Sequence, residues 1–177
     1  MTLDDISELV AERVRNVADF PLPGVLFRDL TPLFADGAAF RRVTEALIER
    51  QGGGTFDVVA GIEARGFVLA GAVAYATGVG MVPVRKAGKL PRPALSQTYE
   101  LEYGSATLQV HTDAFARGHR VFVVDDVLAT GGTLEATVAL VERAGAAVAG
   151  LAVVLELTAL AGRERLAPRP VDALARV

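Results

Sequence analysis

The stretch with the clearest chemical content is VFVVDDVLATGGT, from Val121 to Thr133. Four apolar residues typical of a buried strand lead into two adjacent carboxylates, Asp125 and Asp126, and then into a turn of small residues. Neighbouring side chains on a strand point to opposite faces, and adjacent carboxylates are costly inside a core. We therefore expect Asp125 and Asp126 to lie at the end of the strand, beside a loop with an exposed backbone.

The turn after these carboxylates, followed by an expected helix, suits a phosphate. Backbone N–H groups in a glycine-rich turn at a helix N-terminus converge on an anion, and the helix dipole favours negative charge there. Threonine hydroxyls add donors, and carboxylates accept hydrogen bonds from vicinal hydroxyls such as those of a ribose. The sequence thus predicts a ribose 5-phosphate site, and its residues are Asp125, Asp126, Ala129, Thr130, Gly131, Gly132 and Thr133.

Two other interpretations of this stretch are weaker. A strand that ends in Asp-Asp also resembles the Walker B strand of nucleoside triphosphatases, but the sequence contains no Gly-Lys-Ser/Thr phosphate loop and no Gly-x-Gly-x-x-Gly after a strand. An isolated Asp-Asp pair is more often a solvated strand end. The combination of strand, carboxylates and turn is more specific than either alternative.

Composition narrows the class of protein. The chain has 177 residues, 51% of them apolar, with a net charge of −3, no cysteine and two histidines. This length fits a single domain, 1–177. The charge gives no global attraction to nucleic acid or to an anionic membrane, and the lack of cysteine excludes disulfides and thiolate metal sites. Acidic residues near the start argue against a signal peptide, so we expect a cytoplasmic protein.

One apolar stretch raises the question of a membrane helix. Residues 67–84 are eighteen uncharged residues in a row, which is close to the length that spans a bilayer. Glycines and Pro83 interrupt the stretch, and Arg65 and Arg85 flank it closely. We interpret it as a buried helix followed by a short strand.

Helices and strands alternate along the chain. Hydrophobic periodicity and chain breakers predict helices over 3–15, 36–50, 65–77 and 132–144, and strands over 56–60, 79–84, 120–124 and 147–155. This alternation predicts an α/β fold with a mainly parallel central sheet and helices on both faces. Ligands bind such sheets at the carboxyl ends of the strands, where the Asp-Asp pair is expected.

Four stretches together resemble a known family. VFVVDDVLATGGT is similar to the signature of the type I phosphoribosyltransferases, whose substrate is 5-phosphoribosyl 1-pyrophosphate. FPLPGVLFRDLTPL (20–33), GIEARGF (61–67) and VPVRKAGKLPRPALSQTYELEYG (82–104) resemble, in order and spacing, the adenine phosphoribosyltransferases. The resemblance implies transfer of a phosphoribosyl group to adenine, giving AMP and pyrophosphate in purine salvage. It further implies a homodimer that uses Mg²⁺, with the ion held mainly by substrate and water.

The resemblance also implies a pyrophosphate site beside the ribose site. Its residues are Glu63, Ala64, Arg65, Arg85, Lys86 and Lys89. Cations and loop N–H groups at strand ends suit a polyphosphate. In the family the loop that matches GIEARGF often contains a cis peptide bond without proline. On residue type alone, each cation could instead be solvated or paired on the surface.

Residues 87–112 are expected to form a mobile β lid, which would exclude water from an oxocarbenium-like centre. Within SQTYELEYG (96–104), Glu102 and Tyr103 match the family's catalytic pair, to which the resemblance adds Arg65. Glu102 would manage a proton on the adenine base. Spacing alone favours a plainer interpretation, a strand with ordinary aromatics and an alternating polar face.

Residues 1–34 are expected to form an N-terminal helix and a hood loop over the base. The resemblance implies that Phe27 stacks on adenine, that backbone groups at Val25 and Arg28 bind its edge, and that Leu157 lies opposite. Phe27 could instead pack the loop onto the domain. His111 and His119 receive no role, since a lone histidine is more often structural. The tail PVDALARV (170–177) shows no clear likeness to the family.

Two other functional classes could share this fold. A ligand sensor that has kept this fold would need a DNA-binding extension or a basic patch, together with a damaged lid, and the sequence shows neither. An enzyme of the same fold that acts on xanthine, guanine or orotate is disfavoured by the GIEARGF and LEYG stretches.

Overall fold

A seven-stranded sheet forms the centre of the molecule, a computed structural model that describes residues 3–52, 55–100 and 104–177. The strands in these ranges are β1 (Arg15–Val17), β2 (Phe27–Asp29), β3 (Val58–Ile62), β4 (Gly80–Lys86), β5 (Ala94–Glu100), β6 (Ser105–His111), β7 (Arg120–Leu128), β8 (Ala147–Glu156) and β9 (Asp172–Arg176). The helices are α1 (Leu3–Arg13), α2 (Thr31–Ala35), α3 (Gly37–Arg50), α4 (Arg65–Thr77), α5 (Gly132–Arg143) and α6 (Gly162–Leu166), with a 3₁₀ turn at Thr158–Leu160.

The large sheet has the strand order β5-β6-β4-β3-β7-β8-β9. Five neighbouring strands of the sheet pair in parallel, in the order β4-β3-β7-β8-β9. Strands β5 and β6 form a hairpin, and β6 pairs antiparallel with β4. Strands β1 and β2 pair antiparallel in a separate small sheet. The predicted α/β fold with a mainly parallel sheet is confirmed.

Helices cover both faces of this sheet. Residues of α1, α3 and α4 form one hydrophobic cluster with Phe122 and Val124 of β7, and α5 forms a second cluster with Val121 and Val123. This division follows from the period of two along a strand, because both faces of β7 are buried. The apolar run before the Asp-Asp pair is therefore the middle of the core.

The stretch 67–84 forms most of α4 and the first part of β4, as predicted. Within the described residues, no helix is long and apolar enough to cross a bilayer. The end of the chain differs from the prediction, which assigned it no element. It forms β9, an edge strand parallel to β8, and the Val177 N–H donates to the Glu156 carbonyl at 2.9 Å.

Candidate active site

Asp125 and Asp126, here called the carboxylate pair, lie within β7 and are buried, with exposed fractions of 8% and 6%. The prediction that the strand ends before them was wrong, because β7 continues to Leu128. Pairing with β3 stops at Val124, whereas pairing with β8 continues to the end of β7. The carboxylate pair therefore lies just past the last pair between β3 and β7, at the carboxyl edge of the sheet, while still inside a strand.

Burial sets the electrostatics of this pair. It raises the pKa of Asp125 well above the ordinary value, and the neighbouring charge of Asp126 raises it further. Burial also raises the pKa of Asp126, although the cation of Arg65 opposes that shift. Arg65 Nε lies 2.6 Å from Asp126 Oδ2 as an ion pair without hydrogen-bond geometry. Among the described residues, this buried oxygen thus has no hydrogen-bond donor.

The first turn of α4 packs directly on the carboxylate pair. A Cβ atom placed on Gly66 would lie 2.8 Å from Asp125 Oδ1 and 3.0 Å from the Val124 carbonyl oxygen. Any side chain there would push the start of α4 away from the pair. Gly66 therefore brings Arg65, the first residue of α4, within reach of Asp126.

Residues 129–133, here called the glycine turn, follow β7 and include the first two residues of α5. Helix α5 begins at Gly132, as the sequence predicted. Gly131 has a φ of +82°. A Cβ on Gly131 would lie 2.4 Å from the Gly162 carbonyl oxygen, and one on Gly162 would lie 2.1 Å from the Ala129 carbonyl oxygen. The two backbone segments are thus in direct contact. No local sequence pattern predicts this support from Gly162, which follows β8 in the chain.

The GIEARGF loop joins β3 to α4, and its peptide bond between Glu63 and Ala64 is cis. This confirms the cis peptide expected from the resemblance. Glu63 Oε2 accepts hydrogen bonds from Arg85 Nε at 3.2 Å and from the Lys86 N–H at 3.1 Å. Burial favours a higher pKa for Glu63, but these two bonds outweigh it and hold the pKa below the ordinary value. The Glu63 carboxylate is thus an ionised anchor for the end of β4.

The cations at the end of β4 lie at the same edge of the sheet as this loop. Arg85 Nη1 donates to the Lys89 carbonyl at 3.1 Å, so Arg85 connects Glu63 to the turn that follows β4. The Arg85 guanidinium also lies 6.0 Å from the centre of the Phe67 ring. The structure therefore brings Arg85 and the backbone of Lys86 and Lys89 close to Glu63, while the role of these residues in binding pyrophosphate stays a prediction.

An open cleft of about 400 Å³, here called the Phe27 cleft, lies between the hood and α4. Its lining residues are Val17, Phe20, Phe27, Asp29, Thr31 and Arg65. The Phe20 and Phe27 rings meet edge to face with centres 5.1 Å apart, and the Arg65 guanidinium lies 5.2 Å from the centre of the Phe27 ring. Phe20 and Val17 were not predicted. The antiparallel pairing of Val17 with Phe27 places both on one side of the hairpin.

The other predicted base-site residues do not line this cleft. Arg28 alternates to the opposite side of β2, where Nη1 donates to Asn16 Oδ1, and it borders a separate cavity of about 250 Å³. The Val25 N–H donates to the Leu22 carbonyl and the Val25 carbonyl accepts from the Phe20 N–H, so both backbone groups take part in the hood turn. Leu157 directly follows β8 and packs against the core. Glu102 and Tyr103 lie outside the described residues.

The chain is similar to known proteins that have this fold. Residues 32–171 match the family described as the phosphoribosyl transferase domain. The chain is 66% identical over 173 residues to an adenine phosphoribosyltransferase of Salinispora tropica, a match that covers 98% of this chain and 92% of that protein.

Solved structures give the same result. The adenine phosphoribosyltransferase of Rhodothermus marinus superposes with a TM-score of 0.93 at 46% identity, covering 98% of this chain and 99% of that one. The Saccharomyces cerevisiae enzyme, solved with D-2,5-dideoxy-2,5-imino-altritol 1,6-bisphosphate and adenine, has a TM-score of 0.90 at 37% identity, covering 97% and 99%. The chain therefore belongs to the phosphoribosyltransferase domain family and, within it, to the adenine phosphoribosyltransferases.

Proposed function

We propose that this protein transfers the phosphoribosyl group of 5-phosphoribosyl 1-pyrophosphate to N9 of adenine, giving AMP and pyrophosphate. One observation carries the proposal. Arg65 borders both the Phe27 cleft and the carboxylate pair, with its guanidinium 5.2 Å from the Phe27 ring centre and its Nε 2.6 Å from Asp126. A base must lie beside the sugar for N9 to attack C1′, and these two contacts support a base cleft and a sugar site that are neighbours.

The ribose 5-phosphate occupies the carboxylate pair and the glycine turn in this proposal. Asp126 Oδ2 is buried and ion-paired with Arg65, but no described residue gives it an aligned hydrogen bond, so a ribose hydroxyl supplies that donor. The 5′-phosphate then lies at the N-terminus of α5, where the backbone N–H groups of residues 129–133 and the dipole of a twelve-residue helix favour an anion. Thr130 and Thr133 add hydroxyl donors.

The leaving pyrophosphate is bound by Arg65, Lys86, Lys89 and the backbone of Ala64. The Glu63 carboxylate would repel an anion directly, so we assign it to holding Arg85 in place. Within the described ranges, no three His, Asp or Glu side chains cluster as metal ligands. Mg²⁺ usually keeps several waters and binds through substrate phosphates with one or two carboxylates, which fits an ion that enters with the substrate. When bound, the ion neutralises charge on the departing pyrophosphate.

The base half of the reaction takes place in the Phe27 cleft. Phe27 stacks on adenine, and closure of the lid keeps water from the reacting C1′. Glu102 and Tyr103 belong to this step by their position in the lid sequence, with Glu102 taking or giving the proton on the base. Val25, Arg28 and Leu157 remain predicted base-site residues, which requires the hood to move when adenine binds.

We also propose a cytoplasmic homodimer. Large apolar side chains are exposed on the hood, where Phe20 and Leu22 are 51% and 58% exposed. A second copy of the chain would cover such surfaces. Light scattering of the eluting peak in size-exclusion chromatography would decide between monomer and dimer.

The enzymatic proposal is tested by incubating the protein with 5-phosphoribosyl 1-pyrophosphate, adenine and Mg²⁺ and measuring AMP. We expect AMP and pyrophosphate in equal amounts, and a loss of at least a hundredfold in the Asp126→Asn variant. If the protein binds ribose 5-phosphate but forms no AMP, the enzymatic proposal is wrong and a ligand sensor remains.

A further inference from the structure

Strand β5, which lies within the predicted lid, contacts the glycine turn through Tyr99. Thr133 Oγ1 donates a hydrogen bond to Tyr99 Oη at 3.3 Å. A Cβ placed on Gly132 would lie 2.9 Å from Tyr99 Cδ2 and 3.4 Å from the Glu100 carbonyl oxygen. The tyrosine ring and the backbone of its neighbour therefore lie directly against the first residue of α5.

The position of the Tyr99 hydroxyl is fixed by the surroundings of the ring. The ring packs against the hydrophobic cluster that contains α5, and Tyr99 pairs with Ala106 in the β5–β6 hairpin. At the other end of α5, Arg143 Nη1 donates to the Ser96 carbonyl at 2.8 Å, which holds the start of β5. In this conformation both ends of β5 contact α5, which holds the Tyr99 hydroxyl beside Thr133.

We propose that Tyr99 is a positioning residue for the 5′-phosphate, acting through the hydroxyl of Thr133. The inference rests on the proposed function, since it requires that Thr133 binds the phosphate. A threonine hydroxyl has one proton and two lone pairs. Thr133 is oriented to donate that proton to the phosphate when its own oxygen accepts a hydrogen bond from another donor. The neighbouring Tyr99 hydroxyl can be that donor. On phosphate binding the Thr133–Tyr99 hydrogen bond reverses, so that Tyr99 donates to Thr133 and Thr133 donates to the phosphate.

This arrangement also links the phosphate to the lid. Glu100 is the last residue of β5, and the segment that carries Glu102 follows it directly. A phosphate that draws the Thr133 proton strengthens the bond from Tyr99, because chains of hydrogen bonds polarise one another. The phosphate thereby fixes the end of β5 from which the predicted catalytic segment departs.

The test compares the affinity of the full chain for ribose 5-phosphate, measured by calorimetry, between the parent and hydroxyl-deletion variants. Tyr99→Phe keeps the ring and removes only the hydroxyl, and we expect it to bind about three- to tenfold more weakly, the range of one neutral hydrogen bond. Tyr75→Phe makes the same chemical change on the exposed face of α4 and should bind like the parent. In turnover, Tyr99→Phe should raise KM for 5-phosphoribosyl 1-pyrophosphate and leave KM for adenine unchanged.

A double-mutant cycle separates positioning from packing. Thr133→Val should weaken binding, and adding Tyr99→Phe to it should cause no further loss, because Tyr99 acts through the Thr133 hydroxyl. In Thr133→Ser, which keeps the hydroxyl, Tyr99→Phe should still weaken binding. Additive losses in Thr133→Val, or parent-like binding by Tyr99→Phe, would overturn the inference and leave the phosphate site in place. Parent-like binding by Thr133→Val would instead remove Thr133 from the proposed phosphate site.

Discussion

Replacing Gly131 by alanine tests how the glycine turn is held in shape. Gly131 has a φ of +82°, which costs an L-residue on the order of 1–2 kcal/mol. The added Cβ would also lie 2.4 Å from the Gly162 carbonyl oxygen, where about 3.3 Å is needed, so one backbone segment must move by about 1 Å. Overpacking of this kind costs about 1–3 kcal/mol. We expect Gly131→Ala to lower the free energy of unfolding by about 2–5 kcal/mol in total.

Gly118→Ala is the matched control, because Gly118 has a φ of +79° but a Cβ there would meet nothing within 4 Å. It should show only the backbone cost of about 1–2 kcal/mol. The assay is guanidinium unfolding of both variants beside the parent, with ribose 5-phosphate affinity measured on the folded proteins. We expect weaker binding in Gly131→Ala alone. Equal losses of stability and unchanged binding in the two variants would refute the reasoning that contact with Gly162 shapes the turn.

Three further predictions concern charge and proton transfer. Arg65→Met removes the cation beside buried Asp126. We expect the free energy of unfolding to fall by about 1–3 kcal/mol at pH 7, since Arg65 is partly exposed and solvent weakens the ion pair. An equally large loss near pH 3 would show that the ion pair is not the cause. The raised pKa of Asp125 implies a stabilising contribution that is complete below its ordinary pKa of 3.8 and is lost as pH rises through the raised folded value. Asp125→Asn should therefore unfold at a higher temperature than the parent at pH 7, with little difference near pH 3, while it binds ribose 5-phosphate more weakly; a variant less stable than the parent at pH 7 would argue against it. Glu102→Gln should slow AMP formation by about 10²- to 10⁴-fold at saturating substrates, and parent-like turnover would remove Glu102 from the mechanism.

The parallel core could be predicted from sequence because its signals are local. The run from Val121 to Val124 is apolar on both faces, and glycines mark the ends of the neighbouring helices, so the fold class and the four strands β3, β4, β7 and β8 follow from pattern alone. The edge of the sheet that carries the site could also be predicted, since the loops after parallel strands meet at the carboxyl edge. The extent of β7 did not follow, because it depends on how far β8 continues beside it.

The missed features of the site depend on contacts between distant parts of the chain. Gly162 meets the glycine turn only once β8 and the segment after it have folded back, and its local sequence marks no such contact. Phe20 joins Phe27 because the hood turns back on itself between β1 and β2. The tail forms β9 because β8 offers an unpaired edge, while its own five residues carry too weak a pattern for a strand.

A base cleft for adenine that adjoins a phosphoribosyl site should select adenine over other bases, and a competition between bases measures that selection. Adenine and hypoxanthine at equal concentration would be mixed with limiting 5-phosphoribosyl 1-pyrophosphate, Mg²⁺ and the protein, and AMP and IMP would be quantified together, with guanine and orotate in parallel reactions. Reading the base through buried polar groups leaves those groups unpaired with the wrong base, which discriminates by about 10⁴-fold in other enzymes. We expect AMP with essentially no IMP. Comparable amounts of AMP and IMP would contradict it, keeping the phosphoribosyl site and removing the adenine cleft.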